Sequence, residues 1–100
     1  MLARYSRRAE QEKIINHQIV LLQMPAQQAA QFKVVSFFYI DKALATVNAN
    51  INSGTYTLYR KIKPLRDEHE AVMKRLLTAT QLGIWKTERK KNGIVAQLIR

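Results

Sequence analysis

The chain has 100 residues, with 17 Lys and Arg against 7 Asp and Glu, and a formal net charge of +10. A hydrophobic fraction of 47% is too high for a disordered chain and suits a single folded domain over residues 1–100. The absence of cysteine excludes disulfides, thiolate metal sites and a Cys nucleophile, and three Gly with two Pro favour long helices over many strands.

No stretch suits a membrane span. The longest uncharged run, Ile14 to Phe32, carries Asn16, His17, five glutamines and Pro25, which is too polar for a bilayer core. No apolar segment followed by a small-residue cleavage site marks a secretory signal. The opening MLARYSRR has three arginines, a serine and no acid before Glu10. It reads as a frayed basic terminus over residues 1–8, with a mitochondrial presequence as the other reading. The expected location is therefore intracellular, in the cytoplasm or the mitochondrial matrix.

In chain order, the first expected helix covers residues 3–23 and ends at Pro25, with Ile14, Ile15, Ile19, Leu21, Leu22 and Met24 forming its apolar stripe. The second covers residues 26–52. Phe37, Ile40, Leu44, Val47 and Ile51 recur at spacings of 3 and 4, the seam of a heptad-type face. Val34, Val35, Phe38 and Tyr39 widen that seam around the helix, so part of it should be covered by a partner. A competing reading makes strands of residues 33–40 and 55–59, which are rich in β-branched and aromatic side chains. Ser53-Gly54 is the clearest interior break, with Ser53 or Thr55 available as a cap.

The third expected helix covers residues 57–82, passes through Pro64 and ends at Leu82-Gly83. Its stripe is Leu58, Ile62, Leu65, His69, Val72, Leu76 and Ala79. Lys63 with Asp67, Arg66 with Glu70, and Glu70 with Lys74 sit four apart on its outer side. Residues 84–100 form a basic C-terminal element, either a short helix or a β-hairpin around Asn92-Gly93. The fold expected is all-α: an antiparallel bundle of three long helices plus that short element.

No catalytic constellation is visible. Glycines at 54, 83 and 93 cannot form a phosphate loop, and Ser6, Ser36 and Ser53 have no local triad signature. His69 sits on the core stripe beside Glu68 and Glu70. A structural or interfacial histidine is favoured there over a metal ligand or general base, and the acids read as an ion-pair face rather than a cation site. No metal and no cofactor are inferred.

Charge is unevenly spread. Between Ile14 and Tyr59 only Lys33, Asp41 and Lys42 are charged, whereas residues 56–100 hold eleven Lys and Arg against four acids. Arg60, Lys61, Lys63 and Arg66 form one basic cluster beside Tyr56 and Tyr59; Lys86, Arg89, Lys90 and Lys91 form another beside Trp85. Cations for phosphate with aromatic faces for stacking is the pairing used by nucleic-acid binders. For Tyr56, Tyr59 and Trp85 taken singly, inward packing is favoured over stacking, while for the combined basic face a polyanionic partner is favoured over cations that only solubilise the outside.

Leu58-Tyr59-Arg60 resembles the tripeptide of the LYR-motif family of small, basic, three-helix mitochondrial adaptors. That family carries it near the start of the first helix, whereas here more than half of the chain precedes it. The likeness spans three residues, and no partner or role is carried over from it.

Together these features point to a non-enzymatic subunit or adaptor. Phe37, Phe38, Tyr39, Ile40 and Leu44 are the expected contact with a protein partner or a second copy. The basic half is expected to meet something acidic. The rival is a nucleic-acid-binding protein for DNA or RNA, and a third possibility is attachment to an anionic membrane surface through the same cations.

Overall fold

In the computed structural model, which describes residues 8–92, the chain forms four helices: α1 (Arg8–Leu21), α2 (Ala26–Ala49), α3 (Thr55–Leu76) and α4 (Ala79–Asn92). No strand occurs among the described residues, so residues 33–40 and 55–59 are helical. The packing is that of a helical bundle, with α2 against α3 as the main pair, α1 laid on α2, and α4 closing against α1 and α3. Helices α2 and α3 run antiparallel, because Gln28 meets Leu76 while Tyr39 meets Glu68.

Each boundary has a local cause. The chain leaves α1 through a Schellman turn: the Gln23 amide donates to Val20 O and the Met24 amide to Ile19 O, with Gln23 at a φ of 53°. Ile19 and Met24, the residues that such a turn brings together, both pack against the core. Pro25 then serves as the N-cap of α2. The first helix is thus ended by a left-handed glutamine before the proline is reached.

Helix α2 stops at Ala49, short of the expected residue 52. The Asn50 side-chain amide caps the Thr46 carbonyl, and its backbone N–H donates to Val47 O. Gly54, at a φ of 80°, is the N-cap of α3, in place of the expected Ser53 or Thr55, and no side chain caps the helix there. Pro64 lies inside α3, which runs on through it to Leu76.

The largest departure from the sequence reading is at the end of α3. The expected helix over 57–82 breaks at Leu77-Thr78, and Gly83 lies within α4. Thr78 Oγ1 accepts from the Gln81 amide, and Gln81 Oε1 accepts from the Thr78 amide. This reciprocal capping box opens a new helix at Ala79, before Gly83 is reached. Residues 84–92 are helical, and Gly93, with the rest of the hairpin alternative, lies outside the described residues, as do residues 1–7.

The main core joins Ile15 and Leu22 of α1, Phe32 of α2, Met73 of α3, Leu77 of the corner and Trp85 of α4. A second, smaller core near the α2–α3 turn holds Val47, Leu58 and Ile62, with Ile14, Ala43 and Leu44 against it. Apolar burial of this kind is the main term stabilising the fold. Ile51, expected to extend the α2 seam, lies beyond the helix and belongs to neither core.

Phe32 is fully buried and Val34 faces solvent. Phe32→Ala should cost about 3–5 kcal/mol of stability through lost burial and the cavity it leaves. Val34→Ala should stay within ~0.5 kcal/mol. Urea denaturation of the two variants checks the assigned inward face of α2, and equal losses would contradict it.

Candidate polyanion-binding face

The two basic clusters meet different fates. In α4, Lys86 and Arg89 lie on the side turned to α3, where both pair with Glu70. Arg89 Nη2 donates to Glu70 Oε1 at 3.0 Å, and Lys86 Nζ lies 3.3 Å from Glu70 Oε2. Lys74 approaches the same carboxylate at 3.9 Å. The Arg89 hydrogen bond above all, with Lys86 behind it, holds the Glu70 carboxyl below the ordinary carboxylate range. Sequence spacing had paired Glu70 with Arg66 and Lys74. The cross-helix partner Arg89 was out of view because α4 was not expected to turn back there.

Trp85 follows the inward-packing reading and not the stacking one. It is 2% exposed in the main core, with the Arg89 guanidinium 4.8 Å from its ring centroid. Arg89 is itself covered, its side chain 17% exposed. Neither residue presents an open face to a nucleic acid in this fold. Lys90 and Lys91 of the same cluster remain on the outside.

His69 joins these residues to α2. Its ring stacks on Tyr39 at 4.6 Å and meets Trp85 edge-on at 5.0 Å. Tyr39 donates its hydroxyl to Glu68 Oε1 at 2.8 Å. Burial, followed by the Glu68 carboxylate, raises the Tyr39 phenol above its ordinary range. His69 Nε2 is buried with no hydrogen-bond partner among the described residues. Desolvation, with the nearby Arg89 charge adding to it, lowers the histidine from 6.5 to about 4. No group of three or more metal-ligating side chains occurs among the described residues.

The expected protein contact on α2 is also redistributed. Tyr39 is 7% exposed and belongs to the interior, while Phe37, Ile40 and Leu44 are half-buried against the two cores. Only Phe38 of that set is open, at 50% exposed, with Lys42 over its ring. Exposed Val34 stands one turn away on the same face. Arg8 at the start of α1 ties itself to Asp41 with two hydrogen bonds and lies over the Phe37 ring.

The first basic cluster, at the opening of α3, stays on the surface. Arg60 and Lys61 are exposed and have no ion pair among the described residues. Lys63 is engaged with Asp67 at 2.9 Å, as its spacing foretold, and Arg66 is half-buried. Tyr56 is open, with the Arg60 guanidinium 5.9 Å from its ring, and Tyr59 is partly exposed. Leu58 of the Leu58-Tyr59-Arg60 tripeptide is core, and the tripeptide lies on α3 rather than on the first helix. Comparison with protein-family models, curated proteins and solved structures yields no match for this chain.

The buried histidine has a pH signature. Its pKa is lower folded than unfolded, so the unfolded chain takes up the proton first as the solution is acidified. The stability it confers is complete above about pH 6.5 and is lost as pH falls from there towards 4. Between pH 7 and 5 that loss should be about 2 kcal/mol. His69→Gln should flatten the decline over this window in urea titrations. A variant with the wild-type slope would show that the imidazole is not buried neutral.

Proposed function

We propose that the chain is a small, non-enzymatic helical subunit whose principal task is to bind an acidic partner at the opening of α3. The observation that supports this is the contrast between the two clusters. Lys86 and Arg89 are spent on Glu70, whereas Arg60 and Lys61 carry uncompensated charge at the surface beside an open tyrosine. No acidic residue intervenes between Asp41 and Asp67, so nothing in that stretch opposes an incoming anion. Val34 and Phe38 on α2 supply a secondary contact for a protein partner or a second copy of the chain.

A nucleic-acid ligand is the second reading, favoured by the juxtaposition of Tyr56 and Arg60, which offers a stacking face next to a phosphate-binding charge. In that case Tyr56→Ala should weaken binding of a single-stranded oligonucleotide and leave binding of polyglutamate unaltered.

Fluorescence anisotropy with labelled polyglutamate and a labelled oligonucleotide tests the main reading. Binding should fall as salt rises, and the R60E/K61E double variant should lose about tenfold or more in affinity at low salt. Unchanged affinity in that variant would remove the basis of the proposal. Light scattering on Phe38→Glu tests the secondary contact. Any oligomer should dissociate with helicity retained, and unfolding would instead assign Phe38 to the core.

A further inference from the structure

The turn between α2 and α3 carries an apolar tip that packing does not account for. The Ser53 amide donates to the Asn50 carbonyl at 3.0 Å, closing a β-turn with Ile51 and Asn52 at its centre. Such central positions ordinarily hold Gly, Pro, Asn, Asp or Ser, each of which eases the reversal. Here the first of them is a β-branched aliphatic residue, 62% exposed and part of neither core. Gly54 redirects the backbone, and Tyr56 follows in the first turn of α3 at 74% exposed, more open than any other described aromatic residue. Arg60 lies one helical turn, about 5.4 Å, further along α3, with Lys61 next to it.

We propose that this end of the molecule is a docking tip for an anionic bilayer surface. Ile51 and Tyr56 enter the interfacial layer, and Arg60 and Lys61 meet the phosphates and carboxylates of the headgroups. The inference rests on the reading that the opening of α3 takes an acidic partner, and it identifies that partner as a lipid surface. Charge complementarity supports it, since the segment from Lys42 to Arg66 contains no acid. The aliphatic apex decides between lipid and nucleic acid. An isoleucine offers a phosphate chain neither a hydrogen bond nor a stacking face, while the interfacial layer rewards its burial. Tyrosine, with an apolar body and a polar end, suits that depth as well. Attachment would be peripheral, because no described helix is long and apolar enough to cross a membrane.

Vesicle co-sedimentation tests the tip with phosphatidylcholine alone and with phosphatidylcholine containing phosphatidylserine. The same protein is assayed in parallel against polyglutamate and a single-stranded oligonucleotide. The full chain should bind the serine-containing vesicles selectively. Ile51→Ser should weaken that binding about tenfold and leave both soluble polyanions bound as before, with circular dichroism confirming an intact fold. Equal vesicle binding by wild type and Ile51→Ser would overturn the docking tip. Binding of oligonucleotide or polyglutamate without vesicle binding would also overturn it, while leaving the acidic-partner reading in place. Binding to none of the three probes would overturn both.

Discussion

The contact on which the rest of the structure depends is the ring stack that places His69 between Tyr39 and Trp85. It draws one side chain from each of α2, α3 and α4 into a single cluster. Desolvation of the imidazole, with the Arg89 charge beside it, disfavours protonation of His69 within this cluster. The carboxylates on either side of it are turned outward to other tasks, Glu68 to the Tyr39 hydroxyl and Glu70 to Arg89 and Lys86. The ion pairs thus sit at the margin of the aromatic cluster, where part of their hydration is retained and the desolvation cost is limited.

A second constraint fixes how α4 reaches that cluster. Gln28 and Gln81 form a reciprocal amide pair, with Gln28 Nε2 to Gln81 Oε1 at 2.8 Å and Gln81 Nε2 to Gln28 Oε1 at 3.1 Å. Gln28 also donates to Leu76 O, and Gln81 to Leu22 O. The pair therefore satisfies carbonyls at the ends of both α1 and α3, groups that helix geometry leaves without intrahelical partners. It also seats the capping box that starts α4. Two glutamines so placed hold the corner of the bundle, and Trp85, one turn beyond Gln81, is carried inward as a consequence.

The legibility of the chain follows from which interactions are local. Helical periodicity showed the all-α fold, and it correctly placed Leu58, Ile62 and His69 on the inward side of α3. The Lys63–Asp67 pair was equally readable, because both partners lie on one helix face. The break after Leu77 was missed although its signal was present: Thr78-Ala79-Thr80-Gln81 has capping-box spacing, but the apolar register continued to Ala79 and outweighed it. Trp85 could be read either as a stacking face or as an inward-packed residue, and Arg89 as part of an open basic face, for the same reason. Their partners His69 and Glu70 are distant in sequence, and only the turn at Thr78 brings them together. Ile51 was misplaced in the opposite direction, since heptad spacing cannot see that the Asn50 side chain has already closed α2.

These misreadings share a consequence for the functional surface. Composition alone treats every cation in the C-terminal half as equivalent, and a charge of +10 makes each of them look available. The fold separates them by whether an acid on a neighbouring helix can reach them. Near the histidine cluster α3 supplies Glu70, and Lys86 and Arg89 of α4 are taken up by it. Towards the α2–α3 turn the nearest helix to α3 is α2, whose last acid is Asp41, and Arg8 already holds it. Arg60 and Lys61, exposed at the opening of α3, have no ion pair among the described residues, so that end of the molecule keeps its positive charge.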